Sequence, residues 1–68
     1  MTETLKDLRR QSKKTLAEVG NVLGVSIRAV LRYEQGAREI DLAQVLQLAE
    51  LYDCSEREII IAQLNSSR

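Results

Sequence analysis

Residues 15–36 read TLAEVGNVLGVSIRAVLRYEQG, and the folding pattern of the whole chain can be worked out from this stretch. Two short helix-forming segments flank residues 23–26, a tight connection that contains a glycine. The first segment carries the small Gly20 beside Val19, and the second carries Val30. A small residue at such a place lets two helices approach closely and cross at a wide angle. The stretch therefore predicts two crossing helices joined by a short turn.

Capping residues mark where the helices begin. At three places a Ser, Thr or Asp stands three residues before a Glu or Gln, which is the spacing of a capping box. A weaker version has Asp as the second member, and Ser26 is a cap without a partner, because Ala29 cannot reach back. The three full pairs and the weaker one are Thr15 with Glu18, Asp41 with Gln44, Ser55 with Glu58, and Thr4 with Asp7.

Glycines predict two of the helix ends. Gly24 and Gly36 each follow a helical segment, and glycine tolerates the left-handed backbone that ends many helices. With the caps, they predict five helices over residues 4–13, 15–23, 26–35, 41–52 and 55–65.

Apolar spacing agrees with helices and not with strands, since no stretch alternates with period two. Two sets of apolar residues each trace one helical face. The first consists of Leu42, Val45, Leu46, Ala49 and Tyr52, and the second of Ile59, Ile60 and Leu64. We predict an all-α bundle in which residues 1–68 form a single domain.

Composition excludes several classes of protein. Histidine is absent and Cys54 is the only cysteine, so neither a disulfide framework nor a structural zinc site is expected. We expect Cys54 to be reduced and buried as a small hydrophobic residue. The first residues lack a secretory signal, and no apolar run reaches the roughly 20 residues of a membrane span. These features predict a cytoplasmic protein without a membrane partner, a metal or a cofactor.

Charge is balanced in number but not in position. The chain has ten basic and ten acidic side chains. Residues 1–38 hold eight basic against four acidic groups, a net charge of +4, whereas residues 39–68 hold two against six, a net charge of −4. The basic half contains the two crossing helices, and a localised basic surface is the electrostatic footprint expected for nucleic-acid binding.

In order and spacing, four segments resemble the Cro/C1-type (XRE-like) helix-turn-helix family of phage repressors and bacterial transcriptional regulators. The segments are residues 5–9, 23–26, 32–36 and 46–52. The resemblance implies a compact five-helix lambda-repressor-like DNA-binding domain, with the helix-turn-helix at helices 2 and 3. It also implies a sequence-specific regulator of transcription that binds a double-stranded DNA operator without a cofactor.

The resemblance also implies roles for individual residues. In the family an arginine of helix 1 pairs with a glutamate near the end of helix 3, which here are Arg9 and Glu34. The third helix would lie in the major groove, where arginine can donate two hydrogen bonds to guanine. The positions that match base contacts are Ile27, Arg28, Leu31 and Arg32.

Phosphate contacts are expected on both sides of this helix pair. Lys13 and Lys14 lie just before helix 2, whose N-terminal N–H groups favour an anion. Such contacts position a protein on DNA and carry no base information. The expected phosphate-contacting residues are Lys13, Lys14, Thr15, Gln35 and Arg38.

Apolar residues at DNA-facing positions keep a second function open. Leu16, Ile27 and Leu31 replace residues that are usually polar in the family, and together they would form an apolar face suited to a protein partner. The alternative is therefore a degenerate helix-turn-helix that acts as a protein-interaction module, binding a partner regulator or acting like an antitoxin. An enzyme is not expected, because the chain has no histidine, no clustered carboxylate pair and no phosphate loop.

The last helix holds more apolar surface than one face can bury. Of Ile60, Ile61 and Leu64, we expect Ile61 to be exposed in a monomer, so the three residues predict a homodimer interface. A symmetric dimer would set two recognition helices about 34 Å apart, which matches one turn of a palindromic operator.

Overall fold

Five α-helices form the part of the chain that the computed structural model describes, residues 3–67. No strand occurs within these residues, so the predicted all-α, five-helix fold is confirmed. None of their helices is both long and apolar enough to cross a bilayer. The helices are α1 (Leu5–Gln11), α2 (Leu16–Leu23), α3 (Ile27–Glu34), α4 (Leu42–Leu51) and α5 (Glu56–Ser66).

The predicted caps all form. Four helices begin with a complete capping box, including α1, where Asp7 takes the place of Glu. Only α3 has a cap without the returning side chain: the Ser26 hydroxyl accepts from the Ala29 amide at 3.1 Å. In the boxes of α1 and α2, hydrogen bonds from Thr4 and Thr15 lower the pKa of Asp7 and Glu18 below the ordinary range.

The first helix ends earlier than predicted. It stops at Gln11, because Lys13 adopts the left-handed conformation with φ of +57° and closes the end of the helix. The Lys14 amide then donates back to the Arg9 carbonyl at 3.1 Å. The left-handed residue Asp53, with φ of +53°, follows α4 in the same way. Without a glycine at either place, the sequence carries no warning of these turns.

All five helices contribute residues to the core, and Ile59 of α5 is completely buried. The apolar face predicted for α4 is partly wrong: Leu42 is 81% exposed and Leu46 is 59% exposed, while Leu48 is buried. Helix α4 packs against both α5 and α2, and its buried residues are Val45, Leu48 and Ala49, together with the capping Tyr52. The rest of the core consists of Leu5, Leu8, Val19, Ala29, Val30, Tyr33, Ile59 and Ala62.

The turn between α2 and α3 requires a residue without a side chain at position 20. A Cβ atom on the buried Gly20 would lie 2.8 Å from the carbonyl oxygen of Val25. The Val25 amide donates to the Gly20 carbonyl at 2.9 Å, so the chain folds back directly onto α2. This close approach fixes the angle at which α3 leaves the turn.

Candidate nucleic-acid interface

The third helix has one buried face and one open face. Ala29, Val30 and Tyr33 point into the core. On the opposite side, Ile27 is 49% exposed and Leu31 is 38% exposed. The four residues expected to contact bases therefore all lie open to solvent: Ile27, Arg28, Leu31 and Arg32.

Polar contacts fix the C-terminal end of α3. The Tyr33 hydroxyl accepts a hydrogen bond from Gln44 Nε2 at 3.0 Å, which ties α3 to α4. This hydrogen bond attaches the first turn of α4 to α3. Because the tyrosine ring is buried, this hydrogen bond satisfies its polar tip.

Arg9 and Glu34 form a largely buried ion pair. Arg9 Nε lies 2.6 Å from Glu34 Oε2, and Arg9 Nη2 lies 3.3 Å from Glu34 Oε1. The side chains are only 13% and 5% exposed, respectively. The hydrogen bond with Glu34 raises the pKa of the Arg9 guanidinium above its ordinary value. A two-point contact of this kind sets the orientation of both side chains as well as their distance.

The third nitrogen of Arg9 reaches the segment before α2. Arg9 Nη1 donates to the Lys14 carbonyl oxygen at 3.1 Å. Arg9 therefore joins the end of α3, through Glu34, to the start of α2, through Lys14. These are the two places where phosphate contacts are expected from the sequence.

The expected phosphate-contacting side chains fall into two groups. Lys13, Lys14 and Thr15 precede α2, with Lys14 half-buried and the other two exposed. Gln35 and Arg38 follow α3 and are both exposed. The guanidinium carbon of Arg38 lies 5.5 Å from the centre of the Tyr33 ring, within the range of a cation–π contact.

The apolar face expected from Leu16, Ile27 and Leu31 is smaller than predicted. Leu16 is half-buried and packs against the core, because its position at the start of α2 turns it inward. Ile27 and Leu31 remain as the apolar part of the open face of α3.

The residues expected at a dimer interface are all exposed, but they line two different grooves. Ile60 and Leu64 lie with Ile40 and Leu42 along a groove between α4 and α5. Ile61 lines a separate groove beside Leu8. Of the apolar residues Ile59, Ile60 and Leu64 of α5, only Ile59 points into the core, whereas Ile60 and Leu64 are exposed.

Three functional candidates on α5 were missed by the sequence pattern. The Ile40 amide donates to Gln63 Oε1 at 3.0 Å, and the Leu5 amide donates to Ser66 Oγ at 3.0 Å. Asn65 Nδ2 donates to the Glu3 carbonyl at 2.9 Å. These partners are 23, 61 and 62 positions apart in the chain, and no local motif reveals contacts at such separations.

Cys54 is half-buried, and this desolvation raises the pKa of its thiol. The nearby carboxylates of Glu58, Asp53, Glu3 and Glu56 act in the same direction. Within residues 3–67, no group of three or more metal-binding side chains comes together.

Comparisons with known proteins place this geometry in a family. A family model described as a helix-turn-helix domain matches residues 1–59. A predicted HTH-type transcriptional regulatory protein of Pyrococcus abyssi is 43% identical over 49 residues, which is 72% of this chain and 16% of that protein. One from Thermococcus kodakarensis is 35% identical over 51 residues, which is 75% of this chain and again 16% of that protein.

The chain therefore spans about a sixth of the length of the curated relatives that it matches. No solved structure matches it. The family model covers the crossing helices α2 and α3, the turn fixed by Gly20 and most of the core. This chain belongs to the helix-turn-helix domain family.

Proposed function

We propose that this chain binds double-stranded DNA with base specificity and acts as a transcriptional regulator, with α3 in the major groove. The observation that carries the proposal is the open face of α3, where Arg28 and Arg32 stand one helical turn apart on a rigidly packed helix. Guanidinium groups at this spacing can each bond the O6 and N7 atoms of a guanine. Ile27 and Leu31 supply apolar contacts, for example to thymine methyl groups.

Charge supports the same orientation. The segment with a net charge of +4, residues 1–38, contains α2, α3 and both groups of expected phosphate contacts. The segment with a net charge of −4, residues 39–68, contains α4 and α5. DNA, a polyanion, would be attracted to the first segment and repelled by the second. Electrostatic attraction would therefore bring DNA to the half of the chain that contains α3.

A salt titration of affinity for duplex DNA tests the proposal. Affinity should fall steeply with salt, and Lys14→Ala should lower the slope of log K against log salt by about one, while leaving base preference intact. Arg28→Ala should cost about 1–3 kcal/mol at the preferred site and relax base preference there. Arg57→Ala is the matched control: it removes one exposed cation from the acidic half and should leave both quantities unchanged. Undetectable or salt-independent binding to every duplex in a random pool would rule out the proposal.

The runner-up function is a protein-interaction module. It is favoured by the apolar side chains of Ile27 and Leu31 on the open face of α3, which would suit a protein surface. Failure to bind any duplex, together with binding of a partner regulator or toxin that Leu31→Asp abolishes, would support it over the DNA-binding function.

We further propose a homodimer formed through Ile60, Ile61 and Leu64, all exposed on α5. Burying such side chains between two copies is favourable by about 25 cal/mol per Å² of apolar area. Sedimentation should give a dimer mass that Leu64→Asp reduces to that of a monomer. Leu46→Asp, an equally polar change at an exposed leucine of α4 outside the groove that Leu64 lines, should leave the dimer intact. A monomer mass for the unaltered protein at high concentration would contradict the dimer.

A further inference from the structure

We infer that Gln63 of α5 is a positioning residue for DNA binding, because it holds the loop after α3 that carries Arg38. This inference rests on the proposed function of α3 and Arg38. Gln63 itself belongs to α5, in the acidic half of the chain, and is not among the residues expected to contact bases or phosphates. We expect its effect on DNA binding to be transmitted through the loop.

The contact of Gln63 with the loop is buried and directional. Its side chain is only 9% exposed, and its Oε1 accepts from the Ile40 amide at 3.0 Å. Its Nε2 donates to Ser67 Oγ at 3.4 Å, which leaves the oxygen directed at the loop. Since Arg38 lies two residues before Ile40, this bond restrains the backbone next to the arginine.

A second contact anchors the beginning of the same loop. Gly36 has φ of +76°, and a Cβ atom there would overlap Ser66 O and lie 2.6 Å from Ser67 Cα. The loop therefore rests against the last turn of α5 at Gly36 and is hydrogen-bonded to α5 at Ile40. Arg38 is held between these two points, with its guanidinium over the Tyr33 ring.

The end of α5 is itself fixed, so it can serve as the support for the loop. Ser66 Oγ accepts from the Leu5 amide at 3.0 Å and donates to the Ala62 carbonyl at 2.8 Å. Both partners are buried and belong to the core. A support that is rigid, with a loop attached at two places, lowers the conformational freedom that Arg38 must lose when it meets a phosphate.

The test compares Gln63→Met, which keeps the length of the side chain but removes the amide, with Ser55→Ala in the same helix. Ser55→Ala weakens α5 by removing the cap at its opposite end, far from the loop, and so reports the effect of lost stability alone. Both variants are studied at a temperature where circular dichroism shows them folded. Gln63→Ala removes the same acceptor, and it is the second variant should Gln63→Met not fold.

The Gln63 variant should lose about three- to tenfold in affinity for duplex DNA, and its salt slope should fall by about one, as for Arg38→Ala. Adding Arg38→Ala to the Gln63 variant should cause little further loss. Amide exchange at Ile40 should become faster, whereas Ser55→Ala should keep the affinity, the slope and the Ile40 exchange rate of the unaltered protein. A Gln63 variant with the slope of the unaltered protein, or additive losses with Arg38→Ala, would overturn the inference. If the unaltered protein binds no duplex, the proposed function itself fails, which is a different result.

Discussion

Arg9 donates two hydrogen bonds to the carboxylate of Glu34, from Nε at 2.6 Å and from Nη2 at 3.3 Å. Its third nitrogen, Nη1, donates to the carbonyl oxygen of Lys14. One side chain thus connects the end of α3 with the segment that leads into α2. Both members of the pair are largely buried, so neither can exchange its partner for water without cost.

Removing Arg9 should therefore destabilise the fold strongly. Arg9→Ala leaves a buried carboxylate without a partner and should lower the free energy of unfolding by about 2–4 kcal/mol. The double variant Arg9→Met/Glu34→Leu replaces the pair with apolar side chains and should recover most of that loss. Urea unfolding followed by circular dichroism measures all three proteins. A double variant that is no more stable than Arg9→Ala would contradict the coupling.

Replacing Lys13, which has a left-handed backbone, with glycine should stabilise the fold but weaken DNA binding. Lys13→Gly removes the strain at φ of +57° and should raise the free energy of unfolding by about 0.5–1 kcal/mol. The same change removes an expected phosphate contact and should weaken DNA binding. Asp53→Gly, which relieves a φ of +53° on the acidic side, is the control: it should stabilise the protein and leave affinity unchanged. Thermal unfolding measures the stability of both variants, and DNA titration measures their affinity. An equal loss of affinity in the two variants would contradict the prediction.

Two glycines with similar backbones should differ in their tolerance of a methyl group. Gly24 has φ of +70° with open space around it, so Gly24→Ala should cost only about 1 kcal/mol, for the backbone conformation. Gly36 has φ of +76° and lies against α5, so Gly36→Ala should cost at least about 2 kcal/mol more, since backbone atoms must move. Equal melting temperatures for the two variants would show that the contact between Gly36 and α5 can yield easily.

Acid should remove part of the stability that the capping boxes provide. The pKa values of Asp7 and Glu18 are lowered in the folded chain, so the unfolded chain binds protons more readily. Their contribution is present above their ordinary pKa values of 3.8 and 4.5 and is lost as pH falls through the lower folded values. The melting temperature should fall on acidification through this range, and Asp7→Asn/Glu18→Gln should reduce the dependence. If the melting temperature of that variant depends on pH as steeply as that of the unaltered protein, other carboxylates cause the sensitivity to acid.

Much of the fold could be predicted because its signals are local. Each cap pair, such as Thr15 with Glu18 or Ser55 with Glu58, lies within four consecutive residues of the sequence. The turn at Gly24 is equally local. The buried side of α4 could not be predicted in the same way. Its apolar residues outnumber the positions of one face, and in the folded chain Leu48 is buried whereas Leu42 and Leu46 are exposed.

In the candidate site, too, some residues could be predicted from local sequence and others depend on tertiary contacts. Arg28 and Arg32 could be named in advance, because the resemblance to the family implies their positions and their spacing of four residues puts them on one face of a helix. The support supplied by Gln63 and Ser66 could not, because it depends on hydrogen bonds between segments that only the completed fold brings together. Local sequence thus indicates which residues lie on the open face of α3, whereas the contacts of α5 with the loop after α3 depend on the tertiary structure.

The hydrogen bonds from Leu5 to Ser66 and from Asn65 to the Glu3 carbonyl also settle how this unit can be joined to others. They bring the first and last helical residues side by side, so that the polypeptide enters and leaves the domain at one spot. A unit with this geometry can be inserted into a surface loop of a larger protein without stretching either connection.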